Sequence, residues 1–216
     1  MNEIQTMNEN METRLFIGAV ESRESEDGSK ITIEGKPIVF DQATDIGGWW
    51  EESIAPGAIK EDALKDVRLL VNHNFDELPL ARSRRNTKNS TMRLSIEEKD
   101  VAMEADLDSA NPRALEADSA IKRGDVSGMS FAFIVDGDEW TDLDTDYPKR
   151  RITSISQIFE VSICTFPAYE GTAVASRSLD SGKRSLADAR AALESAKKKQ
   201  EKISELNERL KEINHE

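Results

Sequence analysis

His73 and Ser130 are residues of this chain whose types could together catalyse acyl transfer. A general base that works near neutral pH is most often a histidine. The other histidine, His215, is the penultimate residue of a charged segment, so His73 is the one that could serve a nucleophile in the body of the chain. Ser130 stands between Gly128 and Ala132, small residues that leave its hydroxyl accessible to another chain. A serine that merely fits a tightly packed sheet remains an alternative for this stretch alone.

Glu160 could supply the third group of such a site, an acid that holds the imidazole tautomer and stabilises the imidazolium. It lies in an apolar run, where a buried carboxylate is costly unless a donor or a cation meets it. A solvent-exposed Glu160 is the alternative. Strand alternation predicts two faces here, with Ser156, Ile158, Glu160 and Ser162 on one and Ile155, Phe159, Val161 and Ile163 on the other.

The order of these residues excludes an α/β-hydrolase, in which the histidine follows the nucleophile. In this chain only His215 follows Ser130. The segment Gly128–Ala132 is also one residue away from the G-x-S-x-G elbow, and no alternation of strands and helices surrounds it.

Three predicted strands must position the candidate residues, because each of the three lies in or directly after an apolar, alternating run. These strands are Val67–Val71 before His73, Asp125–Val135 around Ser130, and Ile152–Ile163 around Glu160.

The rest of the body predicts further short strands and few helices. The patterns favour strands at Leu15–Val20 and Lys30–Glu34, a hairpin of Met92–Ile96 with Val101–Leu107, a helix capped by Asn111 and Gly124, and an irregular acidic loop over Asp136–Arg150.

The composition bounds what else the chain could do. Its formal net charge is −13, and residues 1–182 carry 20 basic and 35 acidic side chains, so we expect no nucleic-acid partner. The single cysteine, Cys164, excludes an internal disulfide framework and a cysteine-rich zinc site. No apolar run approaches the roughly 20 residues of a membrane span, and the N-terminus lacks the features of a secretion signal, so we expect no membrane partner.

Residues 183–213 predict a long helix with a narrow apolar seam, as in a coiled coil. Ala189, Ala196 and Gln200 weaken that seam, so a lone amphipathic helix and pairing at high local concentration remain open beside a stable dimer. The preceding segment, Ser176–Gly182, predicts a linker. Residues 1–11 predict a disordered N-terminus.

Several segments resemble the signature blocks of the caudovirus prohead maturation proteases, the HK97-type family. The resemblance runs from about Leu15 to Leu179, with its blocks in the family's order and at plausible spacing. The blocks are specific together, although no single block is. They are Asn72-His73, Arg123–Phe133 and Phe159–Tyr169, with Trp50–Gly57 as a fourth block upstream.

The resemblance implies a serine endopeptidase that is distantly related in fold to the herpesvirus assemblins. We therefore expect an α+β, mainly β fold: a small closed or partly closed β-barrel ringed by short helices, with the C-terminal helix added. Carried over, Ser130 is the nucleophile, His73 the base and Glu160 the orienting acid. By analogy with the assemblin arginine loop, Arg150 and Arg151 are candidates for the oxyanion site, although a basic pair that balances the acidic loop before it is an equal alternative.

The family also implies a place of action. We expect a protease domain over residues 12–179 and a linker and helix over 180–216. The expected substrates are scaffold, the scaffolding arm of the major capsid protein, and the protease itself, with self-cleavage near Ser176–Arg184. The expected setting is the immature capsid in the host cytoplasm, with no cofactor and no metal. The C-terminal helix would contact scaffold, and association between copies of this chain is left open. The alternative is a non-catalytic scaffold or assembly protein that uses the same fold.

Overall fold

The computed structural model of the chain describes residues 11–17, 20–26, 28–84, 89–126, 128–165 and 173–213. These residues form an α+β, mainly β fold, as the sequence predicts. Within these ranges, no helix is both long and apolar enough to cross a membrane. The elements are β1 (Met11–Ile17), β2 (Val20–Glu24), β3 (Lys30–Val39), β4 (Thr44–Ile46), β5 (Trp50–Ile54), a 3₁₀ helix (Glu61–Leu64), β6 (Asp66–Val71), β7 (Ala81–Arg84), β8 (Met92–Ile96), β9 (Asp100–Asp108), α1 (Pro112–Arg123), β10 (Gly128–Thr141), β11 (Lys149–Cys164) and α2 (Ala173–Ile213).

The larger sheet has seven strands and is organised around β11. Strand β10 pairs antiparallel with β1 on one side and with β11 on the other. Strand β11 is long enough to take two parallel neighbours in turn, β5 along residues 149–152 and β6 along residues 160–163. The three strands predicted to hold candidate residues, β6, β10 and β11, are therefore adjacent in one sheet.

The smaller sheet is antiparallel, in the order β2, β3, β9, β8, and it contains the predicted β8–β9 hairpin. Its inward side chains pack against the larger sheet in one core, where full burial of each large apolar side chain contributes roughly 1.5–3 kcal/mol. Members of that core include Ile31, Ile33, Met92, Met103 and Leu107 from the smaller sheet and Leu69, Phe131, Phe133, Val161 and Ile163 from the larger.

The strand pairings of the described residues do not close either sheet into a ring. The larger sheet ends at β1, β4 and β7, and the smaller sheet ends at β2 and β8. The first part of β11 pairs with β5 and the last part pairs with β6, so the larger sheet branches at β11. Neither branch pairs with β1 to close a ring. The predicted closed or partly closed barrel is not confirmed.

Helix α1 begins and ends where its capping residues predict. The side-chain oxygen of Asn111 accepts a hydrogen bond from the Arg113 N–H at 3.1 Å, and Pro112 takes the first helical position. Gly124 ends the helix in the left-handed region, with φ at 77°. The buried side of α1 packs on the core through Ala114, Ala117 and Ile121.

The irregular loop predicted over Asp136–Arg150 is confined to residues 142–148. Strand β10 continues to Thr141 and β11 starts at Lys149, so the two strands form one long hairpin. Irregular register between residues 132 and 138 bends the hairpin. At its far end Trp140 packs edge-on against Trp50, with 5.6 Å between ring centroids, and this contact supports strand structure in a segment that composition alone assigns to a loop.

Helix α2 begins ten residues before the predicted start, at Ala173, so the predicted linker is helical. Its first part is docked on the body. Ser178 is buried, and Gly182 lies so close to the Trp50 ring that a Cβ there would be 2.4 Å from a ring carbon. Gly182 is therefore required because the helix approaches the Trp50 ring closely. The composition of this segment had suggested a flexible linker instead. At the other end of the chain, Met11 begins β1, and residues 1–10 lie outside the described residues.

Candidate active site

His73 is positioned by an unusual turn at the end of β6. Asn72 and His73 both adopt the left-handed region, with φ of 52° and 57°, which is uncommon for residues other than glycine. The Asn72 side-chain oxygen accepts hydrogen bonds from the Thr165 N–H at 3.0 Å and the Thr165 hydroxyl at 3.2 Å. These bonds tie the turn to the end of β11, so the strained backbone is held by its surroundings.

Glu160 is fully buried on β11 and contacts His73 directly. Its Oε1 lies 2.7 Å from His73 Nδ1, and its Oε2 accepts the hydroxyl of Ser162 at 2.5 Å. The same Ser162 oxygen accepts the backbone N–H of His73 at 3.1 Å. With Nδ1 engaged by the carboxylate, Nε2 is the ring nitrogen to which a nucleophile could give its proton, and Cys164 is a second neighbour of the ring.

The surroundings of His73 favour its protonated form. Burial alone would lower the pKa of His73, but hydrogen bonds to Cys164 and Glu160 and the negative charge of Glu160 raise it to about 10. An imidazolium beside this carboxylate is therefore well stabilised. His73 becomes the free base in a growing fraction of molecules as pH rises.

Ser130 lies on the strand next to Glu160. It pairs with Ser162 across the β10–β11 ladder, and paired residues carry their side chains on the same face. The Ser130 side chain is thus on the face that holds Ser162, to which His73 is bonded. Its hydroxyl is buried and donates to the main-chain oxygen of Arg14 at 2.8 Å. No hydrogen bond joins Ser130 to His73 in the described structure, and the burial of Ser130 contradicts the prediction that its hydroxyl is accessible to another chain.

Ser162 also belongs to this site, although the sequence analysis did not predict a role for it. It is fully buried. Its hydroxyl donates to Glu160 and accepts the backbone N–H of His73. It therefore positions His73 and Glu160 relative to each other. The available signal was its spacing of two from Glu160, which puts both on one strand face.

A bulge in β11 changes the predicted faces. Ala132 pairs with Glu160 and Phe133 pairs with Ile158, so Phe159 is the extra residue between them. Ile158 consequently lies in the main core with Val161, and Phe159 packs separately with Ala132. The predicted faces are wrong for Ile158 and Phe159, because strict alternation does not anticipate a bulge.

Arg150 and Arg151, the candidates for the oxyanion site, are both engaged by carboxylates. The Arg150 side chain is buried and its guanidinium is bound by the carboxylates of Glu12, Glu52 and Asp138. Arg151 is paired with the carboxylate of Asp41 at 2.7 Å. Both arginines have carboxylate partners, and Asp138 belongs to the acidic segment before Arg150, which favours the alternative of charge balance for this pair.

Arg150 belongs to a buried ion cluster that the sequence did not reveal. Arg14 Nη2 contacts Glu12 at 2.6 Å and Glu52 at 2.7 Å, and Arg150 Nη1 contacts Glu12 at 2.8 Å. Burial alone would raise the pKa of Glu52, but the charge of Arg14 outweighs it and lowers that pKa. We call this set of residues the arginine cluster: Glu12, Arg14, Glu52, Asp138 and Arg150.

A histidine whose Nδ1 faces a buried carboxylate, beside a strand that presents a serine, is the arrangement of a serine hydrolase site. The order of the residues along the chain, histidine then serine then acid, sets it apart from the α/β-hydrolases.

Comparison with known proteins places the chain in a family of such enzymes. The chain belongs to the caudovirus prohead serine proteases, whose family model matches residues 18–185. The prohead protease of Enterobacteria phage HK97 is 31% identical over 158 residues, which cover 71% of this chain and 64% of that protein. The match thus spans less than two thirds of the relative's length. No solved structure matches the chain.

Proposed function

We propose that this chain is a serine endopeptidase in which Ser130 is the nucleophile, His73 the general base and Glu160 the acid that orients the imidazole. The contact of 2.7 Å between His73 Nδ1 and the buried Glu160, on the strand beside Ser130, carries the proposal. Membership of the prohead serine protease family supports the same assignment.

The chemistry is acyl transfer. His73 Nε2 takes the hydroxyl proton as Ser130 Oγ attacks a peptide carbonyl, and the resulting imidazolium is stabilised by Glu160. The imidazolium then gives its proton to the leaving amine, which departs and leaves an acyl-enzyme. Water, deprotonated by His73, hydrolyses this ester and restores Ser130.

The substrates that fit this family are capsid components. The HK97 relative carries the name prohead protease, and on that ground we propose that this chain cleaves scaffold or the scaffolding arm of the major capsid protein, and itself, inside the immature capsid. The predicted self-cleavage segment is helical and includes the buried Ser178, so cleavage there would require this part of α2 to leave the body.

The second part of α2 is proposed to contact scaffold. Beyond the docked part, Ile203, Leu206 and Leu210 lie exposed along the helix at spacings of three and four, an apolar stripe suited to a partner helix. A capsid interior raises the effective concentration of partners, so a weak stripe would suffice there. Kinship with the assemblin fold stays a prediction, as does the division into a domain over residues 12–179 and a segment over 180–216.

The proposal is tested by co-expression of the full chain with the major capsid protein and scaffold of the same phage. Intact mass of the assembled proheads should show discrete fragments with wild type and unprocessed proteins with Ser130→Ala. Fragments of the same masses with Ser130→Ala would contradict the proposal. Normal assembly with both chains and processing with neither would favour the scaffold alternative.

A further inference from the structure

Strand β1 covers the candidate nucleophile. It pairs antiparallel with residues 128–134 of β10, and Leu15 lies opposite Ser130. The main-chain oxygen of Arg14 accepts a hydrogen bond from the Ser130 hydroxyl at 2.8 Å, and Ser130 is only 2% exposed. A peptide substrate could not reach Ser130 along this edge of β10 while β1 is in place.

The two edges of β10 suit different parts of a proteolytic site. On one edge, β11 carries Glu160, whose partner His73 is the proposed base. On the other edge, β10 directs main-chain N–H and C=O groups toward β1, and an extended peptide can bind to such groups by adding a strand. The hydrogen bond from Ser130 to the Arg14 carbonyl shows that a strand at this edge brings a peptide carbonyl into contact with the candidate nucleophile.

The position of β1 in the sheet allows it to leave. In the described structure β1 pairs with β10 alone and ends the larger sheet. Its departure would break no other strand pair, so β5, β6, β10 and β11 would stay together. The family model matches residues 18–185, and β1 ends at Ile17. The segment that matches the family model therefore does not include β1.

Charged and polar side chains attach β1 to the body. The carboxylate of Glu12 accepts a hydrogen bond from Arg150 Nη1 at 2.8 Å. Arg14 donates from Nη2 to Glu52 at 2.7 Å and from Nη1 to Ser178 of α2 at 2.5 Å. The arginine cluster therefore determines how firmly the strand that covers the candidate nucleophile is held.

We propose that the edge of β10 along residues 128–134 is the binding site for an extended segment of the substrate, and that β1 occupies this edge as the chain's own blocking strand. Ser130 becomes available when β1 leaves and the substrate takes its place. The inference rests on the proposed function, since it takes Ser130 as the nucleophile. It also gives the arginine cluster a regulatory role, because loosening the cluster should expose Ser130.

The test locks β1 in place with a disulfide and measures access to Ser130. Met11 and Ile134 lie opposite each other in the β1–β10 pair, and Ile134 is four residues from Ser130. Opposed residues of an antiparallel pair have Cα atoms about 4.5–5.5 Å apart, which fits a disulfide. The full chain with Met11→Cys and Ile134→Cys is purified, treated with a fluorophosphonate that labels accessible serine nucleophiles, and analysed by peptide mapping.

The oxidised double variant should be labelled on Ser130 at least about 10-fold more slowly than the same protein after reduction, because the disulfide prevents the local opening that exposes the hydroxyl. Met11→Cys alone, treated with the same oxidant and reductant, is the control, and its labelling rate should not depend on the redox state. This control retains Cys164, so it reports any effect of oxidation at that residue.

Loosening β1 should have the opposite effect. Glu12→Ala removes the carboxylate that binds Arg150, so β1 should leave β10 more often. Ser130 should then be labelled faster than in wild type, by about 10-fold or more. If β1 were instead a required part of the active site, the same substitution would slow the labelling.

The matched control for Glu12→Ala is Glu104→Ala. It also removes a strand carboxylate from an ion pair with an arginine, Arg93, but in the smaller sheet, so the labelling rate should stay unchanged. If Glu12→Ala fails to fold, Ser178→Ala replaces it, because it removes the hydroxyl that binds Arg14.

The outcomes separate the two proposals. Equal labelling of Ser130 in the oxidised and reduced double variant, or labelling of Glu12→Ala that is no faster than that of wild type, overturns the blocking role of β1 and leaves the protease proposal standing. Absence of labelling on Ser130 in wild type, in the reduced double variant and in Glu12→Ala overturns both.

Discussion

Two buried acidic sites of the described structure, the arginine cluster and Glu160, differ in the kind of base that binds their carboxylates. In the arginine cluster, Glu12 and Glu52 are bound by Arg14 and Arg150, whose guanidinium groups stay charged at any accessible pH. In the candidate site, Glu160 is bound by His73, a group that can lose its proton. All three carboxylates are almost fully buried, so the two sites differ in the basic partner and not in the extent of burial.

The arginine cluster is suited to holding the fold together, whereas the His73–Glu160 pair is suited to catalysis. The arginine cluster joins elements that are distant in sequence: Glu12 lies on β1, Glu52 on β5 and Arg150 on β11. The hydroxyl oxygen of Ser178 in α2 accepts a hydrogen bond from Arg14 Nη1 at 2.5 Å, so the cluster also binds the helix to the body. The His73–Glu160 pair joins two neighbouring strands next to a serine, which suits it to proton transfer.

The largest expected effect is the loss of catalysis on removal of the proposed nucleophile. Ser130→Ala should lower kcat/KM for any cleaved peptide by at least about 10⁴-fold, as in other serine hydrolases. The folded structure should persist, because the change removes one hydroxyl bonded to a main-chain oxygen. Thermal unfolding measured alongside serves as the control, and a loss of activity that tracks loss of fold would contradict the assignment.

Glu160→Gln should come next, with a fall of roughly 10³–10⁴-fold, because the amide cannot stabilise the imidazolium. The pH dependence should change as well. Cys164 and the Glu160 carboxylate hold the pKa of His73 at about 10, so wild-type kcat/KM should rise with pH up to about pH 10 as the free base forms. Without that charge the acid limb of the profile should move to lower pH. A reduced rate with an unmoved limb would mean that Glu160 acts on structure alone.

Arg150→Met should give the opposite pattern, a large loss of stability with an unchanged pH profile. It leaves Glu12 and Glu52 buried with one cation fewer, and breaking a buried ion pair from one side costs about 3–5 kcal/mol. Denaturant unfolding measures the loss. A shift of the acid limb of the pH profile in the folded variant would show that the arginine cluster is coupled to the His73–Glu160 pair.

Gly182→Ala should produce the smallest effect, a loss of about 1–3 kcal/mol from overpacking. Alanine is the better helix former by about 1 kcal/mol, but its Cβ would overlap the buried Trp50 ring. Ser195→Ala, on the exposed and undocked part of α2, is the matched control and should be neutral or slightly stabilising. A rise in Tm for Gly182→Ala would mean that the helix is not fastened at this contact.

The sequence predicted what depends on short-range patterns. Alternation identified the strands that hold the three candidate residues, and the caps at Asn111 and Gly124 bounded α1. The candidate site could be assembled because its strands are adjacent and each contributes a residue of recognisable type. Their roles came from the family resemblance, and remain proposals.

What the sequence did not predict depends on contacts between distant segments. The arginine cluster draws Glu12, Glu52 and Arg150 together from three parts of the chain, so Arg150 could not be recognised as a structural residue. The bulge at Phe159 puts Ile158 and Phe159 on the faces opposite to those predicted. No residue pattern in this segment of the sequence indicates a bulge. Gly182 was taken for a linker residue because its contact with Trp50 is invisible in the sequence.

The most direct test of the proposed site is the position of covalent attack by a fluorophosphonate in proheads that contain the full chain. Peptide mapping should place the adduct on Ser130 in wild type and in Ser162→Ala, and Ser130→Ala should carry none. An adduct on Ser162, or on a residue away from His73, would contradict the proposed site.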